Sequence, residues 1–141
     1  MMTTETLIGV WQMLSASYEQ AETGAPIPSH YGDSPTAFLH YTPGSRMIAL
    51  IMAGGLPLLG PDHLTASQAD RATVHSGTVS YAGAYRMDGD AVLHQVEAAT
   101  IPDWVGTEQR RYVTIHGDRL TLRSAPQTSG RIITARWRRL E

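Results

Sequence analysis

The chain contains no cysteine and no lysine, and each absence removes a class of chemistry before any pattern is read. Without cysteine there is no thiolate nucleophile, no disulfide and no sulfur ligand for a metal, a composition that suits a reducing compartment. All 11 basic residues are arginine, so no side-chain amine can form a Schiff base, and a permanently protonated guanidinium does not replace it. Charge is sparse as well: 11 basic against 13 acidic residues leave a net charge of -2. There is no broad positive field for a nucleic-acid backbone or an anionic membrane, and the short "RWRR" near the C-terminus does not supply one. No apolar run is long enough to cross a bilayer as a helix, and "MMTTETLIGVWQM" lacks the pattern of a secretion signal, so a cytoplasmic protein is expected.

What remains is a chain of 141 residues, 42% of them hydrophobic and 17% charged, the size and balance of one folded domain over residues 1–141. Turn residues cut it into short extended runs. Pro43 and Gly44 in "YTPGSR" suit a type II turn, and "MDGD" at Gly89 and "HGDR" at Gly117 are tight hairpin signals. Strands are predicted over 9–18, 36–42, 45–53, 80–88, 91–99, 107–116, 119–125 and 130–140. An antiparallel meander of about eight strands removes its edges by closing, so the expected class is all-β, an up-and-down barrel. One segment differs: "HLTASQADRATVHSG", residues 63–77, predicts a short helix with Thr65 and Gln68 as a capping box and Gly77 as its stop. Before it, "GGLPLLGPD" holds three leucines, which either cover the barrel mouth or a partner, or tuck into the core beneath the helix.

The order of "LIGVWQMLS", "FLHYTPGSRMIALIM", "GAYRMDGDAVLHQVE", "PDWVGTEQRRYV" and "GDRLTL" resembles the small bacterial lipocalin-like domain family, with Gly9 and Trp11 at the signature spacing. That resemblance covers nearly the whole chain and implies a barrel enclosing a pocket for a small, mostly apolar molecule. It further implies that Trp11 plugs the closed end beneath an arginine of the last strand. Arg139 fits that role, with Arg136 or Arg138 as alternatives if the register differs; a guanidinium over an indole is a favourable cation–π pair.

Strand alternation identifies the chemistry inside such a barrel. In 91–99 the more apolar face carries Val92, His94 and Val96, and in 107–115 it carries Gln109, Arg111, Val113 and Ile115. His94, Gln109 and Arg111 are then expected inside, and a register pairing 94 with 111 sets imidazole and guanidinium opposite each other. An inward arginine cannot shed its charge, and Glu97 falls on the other face from His94, so a ligand oxygen is the candidate counter-group. Tyr41 and Tyr85 are candidate pocket-lining residues, His40 facing away from Tyr41. Trp104 sits in the loop 100–106, where it rims the mouth or anchors the loop.

Two functions follow from this constellation. One is a binding module for an apolar molecule with a polar or anionic end, lined by Tyr41, Tyr85, His94, Trp104, Gln109 and Arg111. The other is a cofactor-independent isomerase, cyclase or dehydratase in which Arg111 stabilises an enolate while His94 or Tyr85 moves a proton. A third, an interaction domain using the leucine-rich segment, leaves a homodimer open. No metal site is expected, because His30, His40, His63, His75, His94 and His116 lack the paired spacing of a helical zinc motif, and no Gly-rich loop points to a nucleotide cofactor.

Overall fold

The computed structural model describes residues 2–141. Nine strands follow in order: β1 (Gly9–Gln20), β2 (Pro26–Ile27), β3 (Thr36–Tyr41), β4 (Arg46–Met52), β5 (Thr78–Asp88), β6 (Ala91–Ala99), β7 (Glu108–His116), β8 (Arg119–Ser124) and β9 (Arg131–Arg139). All pairings are antiparallel, consecutive strands from β3 to β9 are neighbours, and β1 pairs with both β3 and β9. Eight strands therefore form a closed up-and-down barrel, with the two-residue β2 added along β1. Closure leaves no long unpaired edge, the hazard of an open all-β meander.

Two departures from the sequence expectation have local causes. Thr65 does not cap the helix: His63–Thr65 is a separate 3-10 turn, Ala66 is extended, and the α-helix α1 (Gln68–Ser76) begins at Ser67, whose side chain accepts from the Asp70 N–H. In "YTPGSR" the positive φ falls on Ser45 (62°) rather than on Gly44. A type II turn needs it at Gly44; here Ser45 N–H donates to the Thr42 carbonyl and the Thr42 hydroxyl accepts from Arg46 N–H, which holds Ser45 in the left-handed region.

The closed end is built around Gly9-x-Trp11. Gly9 has φ 141° and lies where a Cβ would collide with the backbone of Glu141, so only glycine fits. Trp11 is fully buried, its indole N–H donating to the Leu7 carbonyl at 2.9 Å. The Arg139 guanidinium lies 4.2 Å above that ring and donates to the carbonyls of Ile8 and Thr6. Of the three arginines open to the last strand, Arg139 is thus the one over Trp11, with its charge spread over two carbonyls and an aromatic face.

Bulges decide which side chains the interior receives. In β1 the register shifts between Met13 and Ser15, so Trp11 and Met13 point inward, Leu14 is expelled to solvent, and the inward series resumes at Ala16 and Tyr18. In β6 an extra residue, Glu97, stands between the pairs Ala82–Ala98 and Gly83–Val96. Glu97 turns outward to meet Arg46 at 2.7 Å. The barrel's outer face keeps a group of exposed apolar side chains on β3 and β4, Phe38, Ile48, Leu50 and Met52, and the leucine-rich segment leaves Leu58 95% exposed. No helix among the described residues is long and apolar enough to cross a membrane.

The second bulge depends on a missing side chain: a Cβ at Gly83 would run into the backbone of Gln95. Gly83→Ala is therefore expected to destabilise the barrel by about 1–3 kcal/mol, read as a lower melting temperature, because backbone cannot yield as a side-chain tip does. An unchanged melting temperature would show that the bulge does not need the glycine.

Candidate functional site

His94 points into the barrel at 1% exposure, one of the few polar side chains in the core. The β6–β7 pairing sets Gln109 opposite His94 and Arg111 opposite Val92, so the expected pairing of 94 with 111 is corrected by two residues. A two-residue slip preserves which face each residue occupies. His94 and Arg111 still line one cavity, on adjacent rungs rather than the same one.

Both ring nitrogens of His94 are taken. Nε2 is 2.6 Å from the Tyr41 hydroxyl and Nδ1 is 2.8 Å from that of Tyr81. Burial pushes the imidazole down from 6.5 to about 3, and the positive charge of Arg111 adds to the effect. Burial likewise raises the hydroxyls of Tyr41 and Tyr81 above their ordinary range, so all three groups are neutral near pH 7.

The inner cavity has a volume of about 70 Å³ and lies among Met13, Leu39, Ile51, Val79, Leu122 and Ile133, with aromatic walls from Tyr31, Tyr81, Trp104 and Trp137. Arg111 is the one charged residue in its lining. Among the described residues Arg111 forms no ion pair, and its one hydrogen bond within the protein runs from Nη1 to the carbonyl of Arg110 at 3.0 Å. Trp137 is 3% exposed and its indole N–H has no acceptor among the described residues. Outside, a cleft of about 600 Å³ runs between the start of β7 and residues 125–129; Trp104 and Arg111 line both spaces.

The other sequence-predicted residues divide by depth. Tyr41 is fully buried behind His94 and does not line the cavity; it acts on it through the imidazole. His40, its neighbour, faces outward. Tyr85 shares a rung with His94, but its hydroxyl donates to the Thr42 carbonyl at 2.8 Å, toward the closed end and away from the cavity. Its expected place in the pocket lining is corrected accordingly. Gln109 lies in the outer cleft, its amide donating to the Thr107 hydroxyl. Trp104 both rims the mouth and anchors its loop, edge-on to Tyr81 with ring centroids 5.5 Å apart. Three aromatic residues of the cavity wall escaped the sequence reading as site residues, Tyr31, Tyr81 and Trp137. Tyr81 carries a usable signal, since it lies four residues before Tyr85 on one strand and so shares its face. No group of three or more His, Asp or Glu among the described residues could hold a metal ion.

The sequence pattern of the lipocalin-like domain family matches residues 8–139, and the chain belongs to that family. A curated relative, the 4'-hydroxy-3'-methoxypropiophenone carrier protein of Aspergillus oryzae, is 32% identical over 85 residues, spanning 54% of this chain and 77% of the relative. Among solved structures, the wild-type fluorescent protein UnaG is similar over 96% of this chain and 98% of its own, at 15% identity and a TM-score of 0.43.

The buried imidazole generates a pH dependence of stability. Between 6.5 and about 3 the unfolded chain takes up a proton at His94 that the folded chain refuses, so stability is full above 6.5 and falls as the pH drops. Denaturant unfolding of wild type and His94→Gln across that range is expected to show a steeper acid loss in wild type. Parallel curves would mean that His94 accepts its proton in place.

Proposed function

We propose that this protein binds a small, mostly apolar molecule inside the barrel, with an oxygen-bearing polar or anionic end held at Arg111. The observation that carries the reading is the guanidinium without an ion pair in the lining of a largely apolar cavity. The guanidinium is half-buried between the cavity and the outer cleft, and with one backbone carbonyl as its partner within the protein its remaining donors are open to a ligand acceptor. A carboxylate or carbonyl oxygen delivered by a ligand completes the set, and the aromatic walls suit a planar body. Family membership supports the reading, as does the relative named as a carrier of 4'-hydroxy-3'-methoxypropiophenone, itself an aromatic ketone.

Acid–base turnover by His94, Arg111 and Tyr85 has weaker support. A general base needs a free lone pair within reach of the substrate and a proton affinity near the working pH. His94 has both nitrogens engaged and is pushed down to about 3, while the Tyr85 hydroxyl is spent on a backbone carbonyl. Binding without chemistry asks nothing of either group.

A ring-sized ligand has to draw on both spaces. The inner cavity of about 70 Å³ is below the roughly 150 Å³ that accommodates a benzene ring in a protein interior. Trp104, lining both the cavity and the outer cleft, is the side chain that yields to admit it.

Two measurements test this. For Arg111→Met, which keeps the apolar stem and removes the charge, benzoate titrated by NMR should bind at least tenfold more weakly, about 1.4 kcal/mol, with benzyl alcohol affected far less. The melting temperature should hold, since the half-buried guanidinium makes no ion pair that the substitution would break. Equal benzoate affinity in wild type and variant would overturn the assignment of the charged end. For Trp104→Ala, the association rate of benzoate should increase by stopped flow, and an unchanged rate would place the path elsewhere.

A further inference from the structure

The hydrogen-bonded row Tyr41, His94, Tyr81 has a direction. A neutral imidazole donates from one nitrogen and accepts at the other, so only two arrangements exist. In one, the Tyr41 hydroxyl donates to Nε2, and Nδ1–H donates to the Tyr81 oxygen; the Tyr81 proton is then left over. In the other, Tyr81 donates to Nδ1, Nε2–H donates to the Tyr41 oxygen, and the Tyr41 proton is left over. Tyr41 is 0% exposed, lies outside the cavity lining, packs against the Tyr85 ring at 4.7 Å, and its hydroxyl has no partner besides His94 among the described residues. A surplus proton there would be a buried donor without an acceptor, a costly arrangement. Tyr81 lines the cavity, where its surplus proton has somewhere to go. The first arrangement is therefore the stable one.

Apart from the Tyr31 hydroxyl, the polar groups of the cavity lining are then mostly donors. In that arrangement the Tyr81 O–H is free to turn into the cavity while its oxygen accepts from His94, the Trp137 indole N–H is buried without an acceptor among the described residues, and Arg111 has only donors to offer. Resting on the binding function above, we propose that the cavity selects an oxygen that only accepts, a ketone or carboxylate on an aromatic body, through the Tyr81 hydroxyl and the Trp137 N–H in addition to Arg111. The corresponding alcohol is selected against because its own proton has only the Tyr31 hydroxyl oxygen to meet, and an amine because it is a cation facing a cation. His94 is a positioning residue: both its ring nitrogens are engaged by tyrosines, and it fixes which way the Tyr81 proton points. Selectivity of this kind arises where a site's buried polar groups would be left unpaired by the wrong ligand.

The test uses three probes of one shape, acetophenone, 1-phenylethanol and ethylbenzene, titrated into the full chain by NMR. Acetophenone is expected to bind at least tenfold more tightly than the other two. Tyr81→Phe should bring acetophenone down to the level of ethylbenzene and leave ethylbenzene unchanged, and Trp137→Phe should cost acetophenone a smaller factor. Independently of any ligand, nitrogen-15 spectra of the wild type near neutral pH should show His94 protonated at Nδ1 and bare at Nε2. An Nε2-protonated ring overturns the proposal while leaving the binding function untouched. So does a set of probes that all bind with no preference for the ketone, or a ketone preference that survives Tyr81→Phe. If no probe binds, the binding function fails and this proposal with it. Should Tyr81→Phe not fold, the wild-type probe ratio and the ring protonation decide.

Discussion

Closure of β1 onto β9 is the constraint on which the rest depends. Once the sheet meets itself, every inward side chain shares one enclosed volume, and each polar group placed there must find a partner inside it or keep a route to water. The two ends of the barrel resolve this differently. Arg139 satisfies its charge against two backbone carbonyls and the Trp11 ring, which makes the closed end a finished structural plug. Arg111 reaches the cavity with a single carbonyl bond, which leaves that end chemically incomplete. One residue type in one barrel thus closes one end and lines the cavity at the other.

His94 occupies the boundary between these two regimes. Its imidazole links a tyrosine sealed in the core to a tyrosine on the cavity wall, so it transmits order from the packed half to the open half. A neutral ring bridging two hydroxyls is fully satisfied and low in proton affinity, qualities suited to orienting a neighbour and unsuited to exchanging protons with a substrate. Arg111 reinforces this by making a second positive charge nearby unfavourable.

Much of this was legible in the sequence, because a closed sheet obeys parity. Turn residues marked the strands, the apolar face of 91–99 placed His94 inside, and Glu97, expected on the opposite face, turns outward to Arg46. Register was not legible: nothing local distinguishes a pairing of 94 with 111 from one with 109, since both keep the same faces inward. Bulges were equally hidden. The extra residue at Glu97 and the shift after Met13 depend on backbone packing against Gly83 and on the fit of β9, which are long-range facts. Depth along the axis was the third gap: Tyr81 and Tyr85 share a face, yet only the first reaches the cavity, while the second is spent on a turn carbonyl. The helix cap was misplaced for a local reason, because Ser67 competes with Thr65 for the same role and lies two residues closer to the regular segment.

The three tryptophans sit in three distinct surroundings: Trp11 beneath a guanidinium, Trp137 sealed with a bare N–H, and Trp104 half-exposed against Tyr81 between the cavity and the cleft. Only the last borders both compartments and solvent. Its emission colour and quenching should therefore track what occupies the chamber, so the molecule carries a built-in optical gauge of its own filling, with the sealed Trp11 as a near-constant background.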